Sequence, residues 1–395
     1  MELILVSSGL GSPPDAPVGG VEAHTYDLAT HIGERMGRTH YVEHFGESIR
    51  LNGVCVHDVG RKTNAFNTSG FIGQSYALAS VAARVLRSTE DAVTESKDNV
   101  VLHVHETRGN LPTHLLRKRF PSVPLVLTVH GPAPWGATYD NPSESLVRKF
   151  SYKVLDISAF RKASRIIAVT DTIRAHLREV GIPDDITCTI RNPIDLDYFS
   201  PAKRVDDEAF SQLFAHRGVE PGFILSVGKL TARKRPMHLL EMFSRSKSSR
   251  QLVYVGTGEE SNALISRTRA LGLTQRVIFA GSLPRTLLPY IFASASTFVT
   301  ASGAEGFPIA VSEAMASGVG VVAPESDQLR EVVDEKNGIL FDPNDDSALI
   351  SALRVIDDDV LVRGWKGESR ERAERFFAWK SALSKYEDVY RSLAS

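Results

Sequence analysis

Residues 302–322 read SGAEGFPIAVSEAMASGVGVV, and two glutamates, Glu305 and Glu313, stand eight positions apart within them. Pro308 falls where a helix would begin. Its fixed φ and missing N–H suit that position. The pattern predicts a helix over Ile309–Ala316, stopped by Gly318, and then a strand over Val319–Ala323. Glu305 therefore precedes the helix, among backbone N–H groups that have no intrahelical partner, and Glu313 lies between the second and third turns. A helix N-terminus is an anion site. A carboxylate beside it can accept hydrogen bonds from sugar hydroxyls, and one inside the helix can hold a ribose diol. Such a set would cradle a sugar–diphosphate–nucleoside. A helix with an acidic first turn, favoured by the macrodipole alone, accounts for the segment equally well.

A second stretch, FILSVGKLTARKR at 223–235, separates the two readings. Phe223–Val227 is a short apolar run that predicts a buried strand, and Gly228 lets the chain turn at its end. Lys229 and Lys234 follow, before a helix expected from about Pro236. Two cations at a strand's carboxyl end are placed to neutralise a leaving diphosphate, in the crevice where open α/β sheets bind ligands. Taken alone the run also reads as a solvated basic loop, because Arg233 and Arg235 share it.

Together the two segments resemble the retaining glycosyltransferases of family 4, which have the GT-B fold. That family carries Glu-x7-Glu in this strand–loop–helix context and a basic pair after a strand of its C-terminal domain. The resemblance extends along almost the whole chain in order. Val18-Gly19-Gly20-Val21-Glu22 resembles the N-terminal glycine loop, and Leu127-Thr128-Val129-His130-Gly131 the central strand that ends in histidine. Arg191-Asn192-Pro193-Ile194-Asp195 resembles the interdomain element. VYVGTG at 253–258 and VIFAGSL at 277–283 resemble the strands lining the nucleotide cleft. Two departures stand out. Lys229 replaces a frequent arginine, keeping charge but losing the planar fork. Pro193 replaces a glycine and stiffens the linker.

The resemblance implies an α/β protein with two Rossmann-like parallel-sheet domains facing each other across a deep cleft. The expected acceptor-binding domain spans 1–198, joined by a C-terminal helix at about 376–395, and the nucleotide-sugar domain spans 199–375. It implies transfer of a sugar from a nucleotide sugar, UDP-sugar first and GDP-mannose second, to a sugar, cyclitol, glycan or lipid-linked hydroxyl with retention. Lys229 and Lys234 would stabilise the leaving diphosphate, helped by N–H groups at Gly19-Gly20 and at the Gly306-Phe307-Pro308 helix start. Glu305 would hold the donor sugar, Glu313 the ribose, and His130 would lie under the reacting centre. Glu22, His105, Trp135 and Tyr139 are candidates for acceptor contact. No metal or other cofactor is expected. A 2-epimerase on the same fold, a pseudo-glycosyltransferase that couples cyclitols through nitrogen, and a silent sugar-nucleotide-binding subunit are the alternatives.

The composition of the 395-residue chain agrees with this reading. Forty-six basic and forty-seven acidic residues leave a formal charge of −1, without the basic excess of a nucleic-acid protein. Cys55 and Cys188 are the only cysteines, too few for a disulfide framework. MELILV reads as a first strand and not a signal peptide, and no apolar run approaches the ~20 residues of a membrane span. A cytoplasmic enzyme is expected, with peripheral membrane contact through Arg117-Lys118-Arg119 or Arg148, Lys149 and Lys153 disfavoured. Oligomeric state is open.

Strands are expected at Leu3–Val6, Val100–His105, Leu125–His130 and Ile166–Thr170 in the first half. In the second they are expected at Phe223–Val227, Leu252–Gly256, Val277–Gly281, Thr297–Thr300 and Gly320–Ala323. Alternation with helical patterns implies parallel sheets. Residues 372–393 read as one helical segment. His103-Val-His105-Glu106 lacks an evident third metal ligand and reads as a strand end at the cleft. Asp195-Leu-Asp197 reads as turn chemistry, and Asp357-Asp358-Asp359 as a solvated loop. Neither Gly9-Leu-Gly11 nor Gly256-Thr-Gly258 has the third glycine of a dinucleotide loop. Two segments, 60–75 with Phe66 and Phe71, and 131–145 with Trp135, Tyr139 and Asp140, mix aromatic and polar groups. That mixture suits a sugar or cyclitol, or equally two plain surface loops.

Overall fold

A computed structural model describes residues 1–7, 20–36, 38–43, 49–51, 54–58, 77, 79–86, 100–105, 110–131, 152–202, 214, 218–302 and 309–394. They fall into two units, Met1–Asn192 with Lys380–Ser395, and Pro193–Trp379.

The first unit is built on β1 (Glu2–Val6), β2 (Thr39–Glu43), β3 (Ile49–Leu51), β4 (Val54–Asp58), β5 (Val100–His105), β6 (Leu125–Val129), β7 (Arg165–Ala168) and β8 (Thr187–Thr189). Their order is β3-β4-β2-β1-β5-β6-β7-β8, and every pairing is parallel except β3 with β4. The central strands β1, β5 and β6 are buried along their whole length and are mostly apolar, with Glu2, His103, His105 and Thr128 as buried polar exceptions. Helices α1 (Gly20–Met36), α2 (Leu111–Arg119), α3 (Ile157–Phe160) and α4 (Asp171–Glu179) belong to this unit. Thr170 caps α4 by accepting from Ile173 N–H.

The second unit holds β9 (Ile224–Val227), β10 (Leu252–Val255), β11 (Val277–Gly281), β12 (Thr297–Val299), β13 (Gly320–Pro324) and β14 (Gly338–Phe341). They form one all-parallel sheet in the order β11-β10-β9-β12-β13-β14. Its helices are α5 (Pro236–Ser246), α6 (Ser261–Ala270), α7 (Leu288–Ser294), α8 (Ile309–Ala316), α9 (Asp327–Arg330), α10 (Asp346–Val355) and α11 (Asp359–Phe377). One core contains Phe199, Phe223, Phe292, Phe298 and Phe377, and another contains Leu240, Phe243, Tyr254 and Trp365. Among the described residues no helix is long and apolar enough to cross a membrane.

Each sheet has one point where strand order reverses, between β1 and β5 in the first and between β9 and β12 in the second. Neighbouring loops diverge there and leave a crevice at the carboxyl ends of the strands. The predicted helix Ile309–Ala316 is α8, and Gly318 ends it at φ 70°. Gly318 N–H returns to Met315 O and Val319 N–H to Ala314 O, so the last carbonyls are satisfied within the turn.

Two features differ from expectation. The strands β2, β3, β4, β8 and β14 were not foreseen; they are short and, β14 apart, mix polar with apolar residues. The helical segment 372–393 is two helices, α11 and α12 (Trp379–Arg391), broken at Ala378 with φ −66° and ψ 128°. Ile194 causes the break: its N–H takes the Phe377 carbonyl at 2.8 Å, and it bridges to Ala378. The run Asp357–Asp359 lies solvated between two helices, as expected, but each of its carboxylates is tied down. Asp358 caps α11, Asp357 accepts from Ser248 Oγ and Ser249 N–H, and Asp359 pairs with Arg250. Asp195 is turn chemistry as read, its Oδ1 accepting from the N–H groups of Asp197 and Tyr198.

Arg370 on α11 fastens the end of α8. Its Nη1 donates to Ala316 O at 2.8 Å, Leu196 O at 2.8 Å and Phe199 O at 2.9 Å. A cation at a helix C-terminus also meets the negative end of the dipole. Arg370→Met should therefore lower stability by on the order of 3 kcal/mol in urea unfolding, leaving three carbonyls without their donor. A loss below about 1 kcal/mol would mean that solvent replaces the guanidinium there.

Candidate functional site

In the second unit the basic segment leaves the carboxyl end of β9 through Gly228, at φ 148°. Lys229 is exposed, Lys234 half-buried and Arg233 exposed. The Lys234 stem folds back over Gly228, its Cε 3.9 Å from where a Cβ would stand. Arg235 then takes a left-handed conformation, φ 51° and ψ 42°, directly before Pro236. The residue before proline avoids helical backbone, and non-glycine residues avoid the left-handed region, so strain is stored here. Arg235 Nη1 donates to Pro343 O at 3.3 Å and holds the turn.

Two glycines after β10 let this segment lie where it does. A Cβ at Gly256 would fall on Gly228 O, and one at Gly258 on Leu230 O. The backbones instead bond directly: Gly228 N–H to Val255 O, Leu230 N–H to Thr257 O and Glu260 N–H to Leu230 O, each at 3.0 Å. The Gly256-Thr-Gly258 motif thus serves close approach of two chains, one of the roles glycine has wherever backbones touch.

Across the strand reversal, β12 leads toward α8. Glu313 on that helix is only 9% exposed, among buried Val311, Ala314, Met315 and Ala316. A carboxylate is kept at such a buried place only with polar or charged partners. Burial holds the Tyr198 phenol above its ordinary range; the Arg285 guanidinium opposes that shift and the Glu313 carboxylate adds to it. Glu313, Tyr198 and Arg285 therefore share one electrostatic neighbourhood. Sequence reading missed Tyr198 and Arg285, which no motif marks. Glu305, Gly306, Phe307 and Pro308 lie outside the described residues.

In the first unit, the parallel register pairs His105 with Thr128 and His103 with Val126. Alternate residues share a face, so His103, His105, Thr128 and His130 all project to one side. His24 reaches them from α1. Ring centroids lie 4.5 Å apart for His103 and His105, 5.2 Å for His105 and His130, and 5.6 Å for His24 and His130. His103 is bonded at both nitrogens, Nδ1 to Tyr390 Oη and Nε2 to Thr128 Oγ1, each at 2.7 Å. His105 Nδ1 lies 2.9 Å from His130 Nε2. Helix α12 closes the cluster: Tyr386 and Tyr390 are fully buried, and Arg35 pairs with Glu387 at 3.2 Å.

His130 is partly exposed, whereas His105, expected to meet an acceptor, is fully buried and engaged with His130. Gly20 opens α1. The side chain of Glu22, and all of Gly19, Trp135 and Tyr139, lie outside the described residues, as do most of segments 60–75 and 131–145. His24, Tyr386 and Tyr390 were not foreseen, because only the tertiary fold brings them to β5.

Comparisons with known proteins show the family of the chain. The model for Glycosyltransferase Family 4 matches residues 18–198, and that for Glycosyl transferases group 1 matches 212–372. The chain belongs to the group 1, family 4 glycosyltransferases. Its two parallel-sheet Rossmann-like domains are those of the GT-B class, and its activity is glycosyl transfer. It is similar to the UDP-Gal:alpha-D-GlcNAc-diphosphoundecaprenol alpha-1,3-galactosyltransferase of Escherichia coli, 26% identical over 300 residues, 73% of this chain and 74% of the relative. Sucrose-phosphate synthase from Thermosynechococcus elongatus has the same fold, with TM-score 0.81 and 19% identity over 100% of this chain and 99% of that one. So does the Anabaena protein HepE solved with UDP-glucose, with TM-score 0.74 and 18% identity over 99% and 100% of the two chains.

The histidine cluster makes stability depend on pH. Burial lowers His103 to about 3 and His130 to about 4. Burial first, and the neighbouring histidines second, hold His24 and His105 well below the ordinary value. Unfolded, all four titrate near 6.5. Between those values the unfolded chain binds protons that the folded chain does not, so stability is full above about 6.5 and falls as pH drops toward 4. The midpoint of thermal unfolding should decline by roughly 5 °C or more between about pH 7 and pH 5. A midpoint that stays level or rises over that interval would show that the cluster accepts protons without unfolding.

Proposed function

We propose that the protein is a retaining hexosyltransferase that moves a sugar from a nucleotide sugar to the hydroxyl of a sugar, cyclitol or lipid-linked acceptor. One observation carries this reading. The lysine segment after β9 and the glutamate helix after β12 rise from the two strands at which the second sheet reverses its order. Cations for a diphosphate and a carboxylate for a ribose diol thus share the crevice where open α/β sheets bind nucleotides. UDP is the favoured nucleotide, with GDP second. The Escherichia coli relative is named for a UDP-galactose donor, and HepE was solved with UDP-glucose.

Catalysis then consists of stabilising charge on the leaving group. The bond from the anomeric carbon to the diphosphate oxygen breaks ahead of attack. The acceptor oxygen bonds to that carbon on the same face, and its proton passes to the departing diphosphate. Lys229 and Lys234, with N–H groups at Gly19-Gly20 and Gly306-Phe307, neutralise the growing charge. Glu305 holds the hydroxyls of the donor sugar, Glu313 the ribose, and His130 hydrogen-bonds the donor beside the reacting carbon.

Lys234→Ala should lower turnover by roughly a hundredfold, the scale for loss of one preorganised charge stabiliser, because its interaction strengthens in the transition state. The exposed Arg233→Ala should be mild. UDP should raise the unfolding temperature more than GDP or ADP, by mass action, and Glu313→Ala should abolish that shift. Equal losses at Lys234 and Arg233, together with an unchanged UDP shift in Glu313→Ala, would overturn the assignment.

The reaction needs no metal on this reading, because lysines and backbone amides supply the positive field and the Asp195 carboxylate already serves its own turn. Release of UDP from UDP-glucose should persist in EDTA. Loss on chelation that magnesium or manganese restores would move the diphosphate site to a cation.

A further inference from the structure

The turn that carries Tyr198 is fixed from several sides. Asp195 Oδ1 accepts from Tyr198 N–H at 2.8 Å, and Asp195 O accepts from Phe199 N–H at 2.9 Å. Arg370 Nη1 takes Leu196 O and Phe199 O, which flank Tyr198, on the same nitrogen that holds Ala316 O. Groups that share one donor nitrogen are at most two hydrogen-bond lengths apart, so this turn is seated against the end of α8. Glu313 stands three residues back along that helix. The ring of Tyr198 is held too. It meets the buried Phe199 edge-on, with centroids 5.2 Å apart and 83° between planes, and it packs against the same core as Ile309 and Ala310 of α8.

The hydroxyl is the exception. Among the described residues it forms no hydrogen bond, although the phenol is half-buried. Burial keeps it protonated, against the pull of Arg285 and with the help of Glu313. An O–H donor thus stands in the neighbourhood of a carboxylate acceptor without being bonded to it. Arg285 adds positive charge from the turn before α7, where Leu287 and Leu288 rest on the same core. A ribose diol fits this arrangement on chemical grounds. A carboxylate only accepts, so hydroxyls bonded to Glu313 must give it their protons. Each such hydroxyl keeps oxygen lone pairs, and an oxygen whose proton is engaged accepts a further bond more strongly. A protonated phenol supplies that bond.

We propose that Tyr198 is a further nucleotide-binding residue: its Oη–H donates to a ribose hydroxyl whose own proton goes to Glu313. The inference rests on the reading of Glu313 given above and adds to it a residue that discriminates between nucleotides. One hydroxyl is bonded on both sides, its proton by Glu313 and its oxygen by Tyr198. A nucleotide that lacks this hydroxyl leaves both side chains short of a partner, so the site selects ribonucleotides over deoxyribonucleotides.

The test is calorimetry on the full chain with UDP and GDP and with the 2′-deoxy and 3′-deoxy form of each. In the parent, one of the two deoxy forms should bind at least about tenfold more weakly than the ribonucleotide. Tyr198→Phe keeps the ring and loses only the hydroxyl. It should bind the ribonucleotide about fivefold to tenfold more weakly, yet bind that same deoxy form within about twofold of the parent. Its unfolding midpoint without nucleotide should match the parent, because the hydroxyl forms no bond among the described residues. Equal losses for the ribonucleotide and both deoxy forms, or no loss for any, would overturn the role of Tyr198. Glu313→Ala separates that failure from failure of the underlying reading. If Glu313→Ala loses the ribonucleotide while Tyr198→Phe keeps the parent's ratio, only the inference about Tyr198 falls. If Glu313→Ala binds like the parent, or the parent binds neither UDP nor GDP, the ribose reading falls and the inference with it.

Discussion

No side chain can stand between the chains that leave β9 and β10. Gly256 and Gly258 lie against the carbonyls of Gly228 and Leu230, and the backbones bond across that seam at three places. The contact holds Lys229 and Lys234 at the reversal of the sheet, and the left-handed Arg235 fixes how the segment turns into α5. The position of the positive charge in the second unit therefore depends on two missing methyl groups. On the other side of the reversal, Arg370 collects three carbonyls and fixes the end of the helix that carries Glu313.

The first unit solves its own positioning problem with polar groups in a dry setting. His103 bridges β6 and α12 through Thr128 and Tyr390, so the last helix is joined to the strand that precedes the site. In a low dielectric such bonds are stronger than in water and costly to leave unmade. The chain can keep four imidazoles together because burial keeps them neutral; charged, they would repel one another. That is the physical link between the cluster, the fold of the unit and the acid side of its stability.

Much of the second unit was legible along the chain. Phe223–Val227, Gly228 and the lysines follow in the order strand, turn, charge, and Ile309–Ala316 with Gly318 carries its own start and stop signals. These are local rules of backbone and periodicity, and they need no distant partner. The short strands β2, β3, β4, β8 and β14 were not legible, because a neighbour's ladder and not their own composition makes them strands. The break at Ala378 was hidden for the same reason: the bond that imposes it comes from Ile194. The glycines at 256 and 258 were read as a failed dinucleotide loop, and only the loop lying against them gives their use.

By itself the sequence determined the class of the protein through its resemblance to family 4, carried by alternating strands and helices, an acidic pair around a helix start and a basic pair after a strand, with a balance of charge that lacks the basic excess of a nucleic-acid protein. Those signals are short-range, and each is written within a few turns or one strand. Only the tertiary structure decided which groups meet. It brought His24 from the first helix, His103 and His105 from β5, His130 from the end of β6 and two tyrosines from the last helix into one cluster. It also turned His105 from an expected acceptor contact into a buried neighbour of His130. The register of β5 on β6 and the packing of α12 are long-range choices, set by burial and hydrogen bonding summed over the whole unit, and no single segment of the chain contains them.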